Sequence, residues 1–300
     1  MINLLFILIL TGSRCTMAEK STHPRSSPRS NYTYTYTPPW CSLPPTPLLP
    51  PSSHEGHVQI NNVSLWYALY GAPLHATITT TTNTSTANDN KSPIVLLHGG
   101  KISSRWFSHL ITSLIPFHSV IALDTRGHGR STDDTSRPLS YTLFANDAIA
   151  VLDFLKVQEA SFVGWSDGAN TALQIAMGFP GRVDRVIVYG ANYSPNQVNR
   201  AGLAGVPFGE ELVERERKEY MSLNPKPDWE LFSARVEGMQ AVEPVWTKSD
   251  FERIPTLDED DDAPMILVAA GDHEEAIFRD VPGRIFEMVS EYISRLISLL

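Results

Sequence analysis

The fold is decided by the pentapeptide Gly164-Trp165-Ser166-Asp167-Gly168 and by the segments on either side of it. An apolar segment typical of a strand, 161–163, precedes the pentapeptide, and a segment typical of a helix, 169–178, follows it. Glycines on both sides of a serine allow a sharp, strained turn that exposes the hydroxyl group. The N-terminus of the next helix carries partial positive charge, which stabilises negative charge beside the serine. The pentapeptide therefore predicts Ser166 as a nucleophile at a strand-to-helix turn; an ordinary tight turn is the alternative.

A second glycine motif, Leu97-His98-Gly99-Gly100, directly follows another apolar segment. A glycine turn at this place can aim a backbone N–H group toward the serine. The N–H groups of Gly100 and Asp167 are predicted to form an oxyanion hole, with Gly99 as the alternative donor and a plain glycine turn as the alternative structure. The side chain of Asp167 is expected either to bind a cationic group of a substrate or to cap the helix. His98 is expected to make structural hydrogen bonds rather than to act as a base.

A third motif, Asp124-Thr-Arg-Gly-His-Gly-Arg-Ser131, also follows an apolar segment. Asp124 and Arg126 are expected to hold this loop by hydrogen bonds. Nothing in the sequence places His128 beside Ser166, so His128 is not predicted to be the catalytic base.

Short apolar segments alternate with segments of helical periodicity along most of the chain. This pattern predicts a mostly parallel sheet with helices on both faces. The predicted strands are 58–60, 63–70, 94–97, 120–123, 161–163, 185–189 and 265–269, and the predicted helices are about 103–115, 142–156, 167–178 and 284–300.

Composition and charge exclude several classes of protein. The 300 residues are 42% hydrophobic and 19% charged, which is typical of a globular protein. A net charge of −9 argues against a nucleic-acid-binding surface. No apolar run approaches the roughly 20 residues of a transmembrane segment. The two cysteines, Cys15 and Cys41, are too few for a disulfide scaffold and lack the spacing of metal ligands. Nothing in the sequence implies a metal or an organic cofactor.

The first 56 residues differ from the rest of the chain, because they contain nine of its 22 prolines. Such a stretch is predicted to be a disordered tail, followed by one domain from residue 57 to residue 300. The apolar run 4–10 is at the short limit for a signal-peptide core, so residues 1–18 are a candidate signal segment. The sequence leaves a secreted and a cytoplasmic location equally open.

Taken together, these three motifs and Gly190-Ala191-Asn192 resemble the α/β-hydrolase superfamily. They are most similar to small-ester and lactone hydrolases of the enol-lactonase and valacyclovir-hydrolase type. The resemblance covers about residues 57–283 and implies an α/β-hydrolase fold with a small helical lid at about 193–264. It also implies a catalytic acid after the strand 265–269, which is Glu274 by position, with Asp272 as the alternative.

The family's base histidine should follow the acid, but none of the nine histidines lies beyond His273, which adjoins Glu274. No base histidine is therefore found, and the C-terminal strand and helix of the family are expected to be missing. Two functions remain open. One is a serine hydrolase of small carboxylic esters or lactones, impaired as the chain stands; cofactor-free peroxidase chemistry would need the same missing group. The other is a non-catalytic protein that binds a ligand or a partner on the same fold. The oligomeric state is not predicted.

Overall fold

The computed structural model describes residues 43–74, 92–199, 209–255, 260, 263–270 and 281–290. In this part of the chain a seven-stranded sheet runs in the order β1-β2-β4-β3-β5-β6-β7. The first two strands form an antiparallel hairpin, β2 is also antiparallel to β4, and all other pairs are parallel. The strands are β1 (His54–Ile60), β2 (Val63–Tyr70), β3 (Ile94–Leu97), β4 (Val120–Leu123), β5 (Ala160–Trp165), β6 (Val183–Tyr189) and β7 (Met265–Ala269).

Helices cover both faces of this sheet. The α-helices are α1 (Ser108–Leu114), α2 (Tyr141–Phe154), α3 (Asp167–Gly178), α4 (Gly209–Leu223), α5 (Trp229–Val242), α6 (Lys248–Phe251) and α7 (Val281–Ser290). Residues of α2, α3 and α7 pack in one core cluster with β3, β5, β6 and β7. Phe107 and Ile111, from the segment around α1, pack in a second cluster with the opposite side chains of β2, β3 and β4.

Burial explains why the central strands could be recognised from sequence. Every residue of β3 and of β4 is buried, because both strands are flanked by other strands and covered by helices on both faces. A strand in that position is a continuous apolar run rather than an alternating one. The predicted fold class, a mostly parallel sheet with helices on both faces, is confirmed.

Two lid helices, α4 and α5, lie between β6 and β7 in the chain. A cluster of aromatic and apolar side chains packs them against α2: Leu139, Tyr141, Phe144, Tyr220, Trp229, Phe232, Val236 and Met239. Within it the rings of Tyr220 and Phe232 stack with their centroids 4.3 Å apart. Arg235 also reaches Asp133 at 2.7 Å. These aromatic residues of the lid therefore pack the lid onto the domain.

The N-terminal boundary of the domain differs from the prediction. The predicted tail reached residue 56, but β1 begins at His54 and residues 43–53 contact the domain. Arg215 of α4 donates to the carbonyl of Pro44 at 2.6 Å, and Ser108 donates to the carbonyl of Leu48 at 2.6 Å. The physical reason is that proline removes N–H donors but leaves carbonyl acceptors, and here the carbonyls find partners. Residues 1–42, which include the candidate signal segment, lie outside the described residues.

The last described helix, α7, agrees with the prediction of a helix at 284–300 as far as Ser290, and residues 291–300 lie outside the described residues. Where the structure describes the chain, none of its helices has the length and apolarity needed to span a bilayer.

Candidate active site

Ser166 occupies a turn in which a strand passes directly into a helix. Its N–H donates to the carbonyl of Tyr189 at 2.9 Å, which extends the pairing of β5 with β6 by one residue. Its carbonyl accepts from Ala169 at 2.8 Å, which starts α3. Between these bonds the backbone of Ser166 has φ 55° and ψ −119°, a strained conformation for a residue with a side chain. Strain of this kind is typical of functional turns, and it holds the half-buried serine side chain at the end of the sheet.

The two glycines of the pentapeptide are required by close backbone contacts. A Cβ atom on Gly168 would collide with the carbonyl oxygen of Leu97 and would lie 2.6 Å from that of His98. A Cβ atom on Gly164 would collide with the carbonyl oxygen of Gly168. The first turn of α3 therefore lies against the end of β3 at a distance that only glycine permits.

The loop after β3 lies over the serine. A Cβ atom on Gly99 would be 3.3 Å from the Cβ of Ser166. A Cβ atom on Gly100 would collide with the carboxylate of Asp167 and would lie 2.7 Å from the side-chain nitrogen of Gln240. Among the described residues, the N–H groups of Gly99, Gly100 and Asp167 have no hydrogen-bond acceptor. The structure thus brings the predicted oxyanion-hole residues together around Ser166, with their N–H groups uncommitted.

The side chain of Asp167 neither caps α3 nor faces solvent. It is 6% exposed, and one carboxylate oxygen accepts from the Tyr141 hydroxyl at 2.8 Å while the other accepts from Gln240 at 2.8 Å. Burial raises the pKa of Asp167 above its ordinary value, although the hydrogen bonds from Tyr141 and Gln240 oppose the shift. The expectation that this side chain caps the helix is wrong, because both of its carboxylate oxygens accept hydrogen bonds from the Tyr141 and Gln240 side chains.

Two buried histidines lie near the glycine loop, and both make structural contacts. His98 donates from Nδ1 to the carbonyl of Gly99 at 2.8 Å and accepts at Nε2 from Thr125 at 2.9 Å. His128 donates from Nδ1 to the carbonyl of Arg126 at 2.9 Å, and its ring is enclosed by His98 and aromatic side chains. Burial, aided by repulsion from His98, lowers the pKa of His128 to about 3. His98 has both ring nitrogens bonded to backbone, as expected, and neither ring is hydrogen-bonded to Ser166.

The loop after β4 is held by the acidic and basic residues that the sequence singled out. Asp124 accepts from the backbone and hydroxyl of Ser104 at 2.9 and 2.6 Å, and from the Arg130 side chain at 2.7 Å. Burial alone would raise the pKa of Asp124, but Arg130 and the other donors outweigh burial and hold it below its ordinary value. Arg126 pairs with Asp147 at 2.7 Å. This network fixes the loop that supports His98.

The predicted acid, Glu274, lies outside the described residues, as do its alternative Asp272 and the adjoining His273. The described residues after β7 end at residue 270. The carbonyl of Ala269, the last residue of β7, accepts from Gly190 at 3.2 Å, so the end of β7 lies beside the end of β6. Among the described residues, no group of three or more histidines, cysteines or acidic residues has a metal-binding arrangement.

Four residues around the site carry no motif in the sequence and were not predicted. Tyr141 and Gln240 hold Asp167, and the lid helix α4 brings Glu216 and Glu219 toward the glycine loop. Glu219 is buried and accepts from Ser103 at 2.5 Å, and burial raises the pKa of Glu216 to about 7 although Lys101 and Arg215 oppose the shift. One signal existed for Gln240: it follows buried Val236 by four residues and so shares its helix face.

Comparison with known proteins supports the resemblance inferred from the motifs. Residues 92–218 match a family model described as alpha/beta hydrolase fold. The chain is 32% identical over 98 residues to esterase YbfF of Escherichia coli. The aligned region covers 33% of this chain and 38% of that protein. It is 42% identical over 69 residues to 3-oxoadipate enol-lactonase 2 of Acinetobacter baylyi. That aligned region covers 23% of this chain and 26% of the lactonase. The chain thus spans well under half the length of the curated relatives that it matches.

Solved structures extend the likeness of fold over most of the chain. The crystal structure of a hydrolase from Pseudomonas aeruginosa superimposes with a TM-score of 0.57 at 20% identity, covering 82% of this chain and 90% of that one. The α/β-hydrolase fold is therefore shown by both sequence and structure, and the related sequences include esterases and lactonases.

Proposed function

We propose that this protein, an α/β-hydrolase by fold and by motif, is a serine hydrolase of small carboxylic esters or lactones. The observation that carries the proposal is the position of Ser166: a strained turn holds it at the end of the sheet, beside three uncommitted N–H groups. The substrate class rests on the names of the relatives, which include an esterase and an enol-lactonase.

In the proposed reaction the Ser166 hydroxyl attacks the carbonyl carbon of the ester, and the carbonyl oxygen becomes negatively charged. The N–H groups of Asp167 and Gly100, or of Gly99, donate to that oxygen, aided by the N-terminus of α3. The alcohol leaves, and water then hydrolyses the acyl-enzyme to release the acid and restore the serine. Water, or an added base such as imidazole, takes the proton of Ser166, and the leaving alcohol receives a proton in return. Glu274, or Asp272 in its place, would orient a histidine ring in that role, but no histidine follows His273 in this sequence.

We expect turnover by this chain of 300 residues to be slow, because a serine hydroxyl is a poor nucleophile without a base. No histidine follows His273 in the sequence, and the rings of His98 and His128 bond elsewhere. Loss of one member of a catalytic triad leaves the oxyanion hole and substrate binding as the remaining sources of catalysis.

The test is hydrolysis of phenyl acetate and of a small lactone, with and without added imidazole. Imidazole is a small base that can stand in for a missing histidine ring. We expect a slow rate that imidazole increases, and the Ser166→Ala protein at the same imidazole concentration supplies the background. A folded chain whose rate equals that of Ser166→Ala in every condition would contradict the proposal.

The position of the buried histidines favours one alternative function, a non-catalytic ligand-binding protein. Both described histidines near the glycine loop are used to hold loops rather than to activate Ser166. The same experiment separates the two functions. Product acids or lactones that bind at the site without any hydrolysis that depends on Ser166, even with imidazole, would support the non-catalytic function.

A further inference from the structure

The lid helix α5 contacts both segments that would supply the oxyanion hole. Lys101, directly after Gly100, pairs with Glu237 of α5 at 2.5 Å. One turn further along α5, Gln240 donates to the carboxylate of Asp167 at 2.8 Å. Glu237 and Gln240 are three residues apart, so they share a face of the helix. That face therefore lies on the glycine loop and on the turn of the nucleophile together.

Gln240 is the residue at which these contacts meet. Its side-chain nitrogen lies so close to Gly100 that a Cβ atom added to Gly100 would be only 2.7 Å from it. The same nitrogen donates a hydrogen bond to the carboxylate of Asp167. Gly100 follows β3 and Asp167 follows β5, and the Gln240 side chain contacts both of them.

The hydrogen bond from Gln240 to Asp167 also affects the negative charge beside the oxyanion hole. The Asp167 carboxylate lies beside Gly100, close to where the substrate oxygen would become negative, and two like charges at that distance repel each other. Donors on the carboxylate reduce this repulsion, and Tyr141 and Gln240 each provide one at 2.8 Å. The donor from the lid can leave when α5 moves, whereas Tyr141 lies in α2, outside the lid.

We propose that Gln240 is a positioning residue for the oxyanion hole, joining the Gly100 and Asp167 segments so that the hole is complete only when α5 is docked. This inference rests on the proposed function. Gln240 acts through Asp167 and Gly100 and does not itself donate to the substrate oxygen. Docking of the lid and formation of the hole are then one event.

The test uses Gln240→Ala and Gln240→Glu in the full chain, with imidazole present. Gln158→Glu, the same change at an exposed glutamine in the loop after α2, is the control and should leave the kinetics unchanged. For Gln240→Ala we expect kcat for phenyl acetate to fall about tenfold while KM changes by less than about twofold, because the lost interaction acts in the transition state.

Gln240→Glu is tested by the pH dependence of kcat, which would not change if Gln240 had only a structural role. At low pH the introduced carboxyl group and Asp167 can share one proton, which preserves a hydrogen bond between them. As the pH rises, that proton is lost and two carboxylates face each other. We therefore expect kcat of Gln240→Glu relative to the original protein to fall steadily from pH 5 to pH 9. Equal pH profiles and an unchanged kcat in both variants would overturn the inference while leaving the proposed function intact.

Hydrogen exchange measured by mass spectrometry decides the inference without any turnover. If Gln240 joins the two segments, Gln240→Ala should speed exchange in peptides covering 97–104 and 164–170 together. Faster exchange confined to the lid peptide 229–242 would overturn the inference. Failure of the proposed function is seen separately, as the absence of hydrolysis that depends on Ser166 in the original protein.

Discussion

The turn that holds Ser166 and the lid that covers it are stabilised by different parts of the chain. At the turn, backbone lies on backbone: Gly168 lies against the carbonyls of Leu97 and His98, and no side chain intervenes. In the lid, side chains make the contacts, as in the Arg235–Asp133 pair and the Gln240–Asp167 bond. Backbone packing tolerates no added atom, whereas side-chain pairs can be broken one at a time. The turn should therefore be rigid, and the lid should be the part that can move.

The largest effect is expected at the turn. Gly168→Ala places a methyl group on the carbonyl oxygen of Leu97, and neither the strand nor the helix can move away. We expect the free energy of unfolding to fall by about 3 kcal/mol or more. Gly178→Ala is the matched control on α3, because open space surrounds that glycine, and it should be neutral or slightly stabilising. Urea unfolding followed by tryptophan fluorescence measures both variants; similar losses of stability for the two would contradict the close backbone contact at Gly168.

A smaller, pH-dependent effect is expected in the lid at Glu216. Burial raises its pKa to about 7, so the folded state favours the protonated acid while the unfolded state ionises near pH 4.5. The folded state therefore loses stability as the pH rises from about 4.5 through about 7. Glu216→Gln, which cannot ionise, should increase the free energy of unfolding by about 1–2 kcal/mol at pH 8 and by much less at pH 5.

Glu214→Gln is the control for this prediction, since Glu214 lies half-exposed on the same helix beside Arg217 and Lys218. Its effect should stay within about 0.5 kcal/mol at both pH values. An equal gain in the free energy of unfolding from Glu216→Gln at pH 5 and at pH 8 would contradict the raised pKa of Glu216.

The smallest effect is expected where the N-terminal segment meets the lid. The Arg215 guanidinium lies 4.2 Å over the ring of Trp106 and donates to the carbonyl of Pro44 at 2.6 Å. We expect Arg215→Ala to lower the free energy of unfolding by about 0.5–1 kcal/mol. Arg217→Ala, two residues along α4 and half-exposed, should cost less than about 0.3 kcal/mol. If the two arginines proved equivalent in urea unfolding, residues 43–53 would not be held by Arg215.

The same contrast explains what could be predicted from the sequence. Gly164 and Gly168 stand where backbone approaches backbone, and that requirement selects glycine, so the turn could be recognised. The buried central strands could be recognised because they are continuous apolar runs.

The side-chain contacts of the lid could not be predicted in the same way. Gln240 meets Asp167 across 73 residues, and a polar residue on a helix has many candidate partners at that separation. The proline-rich composition of residues 43–51 predicted disorder but carried no information about the partners of the carbonyls of Pro44 and Leu48. Contacts between distant parts of the chain follow from packing, which periodicity and motifs describe only indirectly.

The most direct test of Ser166 as the nucleophile is covalent labelling of the folded chain with a fluorophosphonate, read by intact mass and then by peptide mapping. We predict a single adduct on Ser166 that forms slowly and forms faster with added imidazole, with no adduct on the Ser166→Ala protein. A folded chain that stays unlabelled, or one that carries the same adduct after Ser166→Ala, would contradict the assignment of Ser166 as the nucleophile.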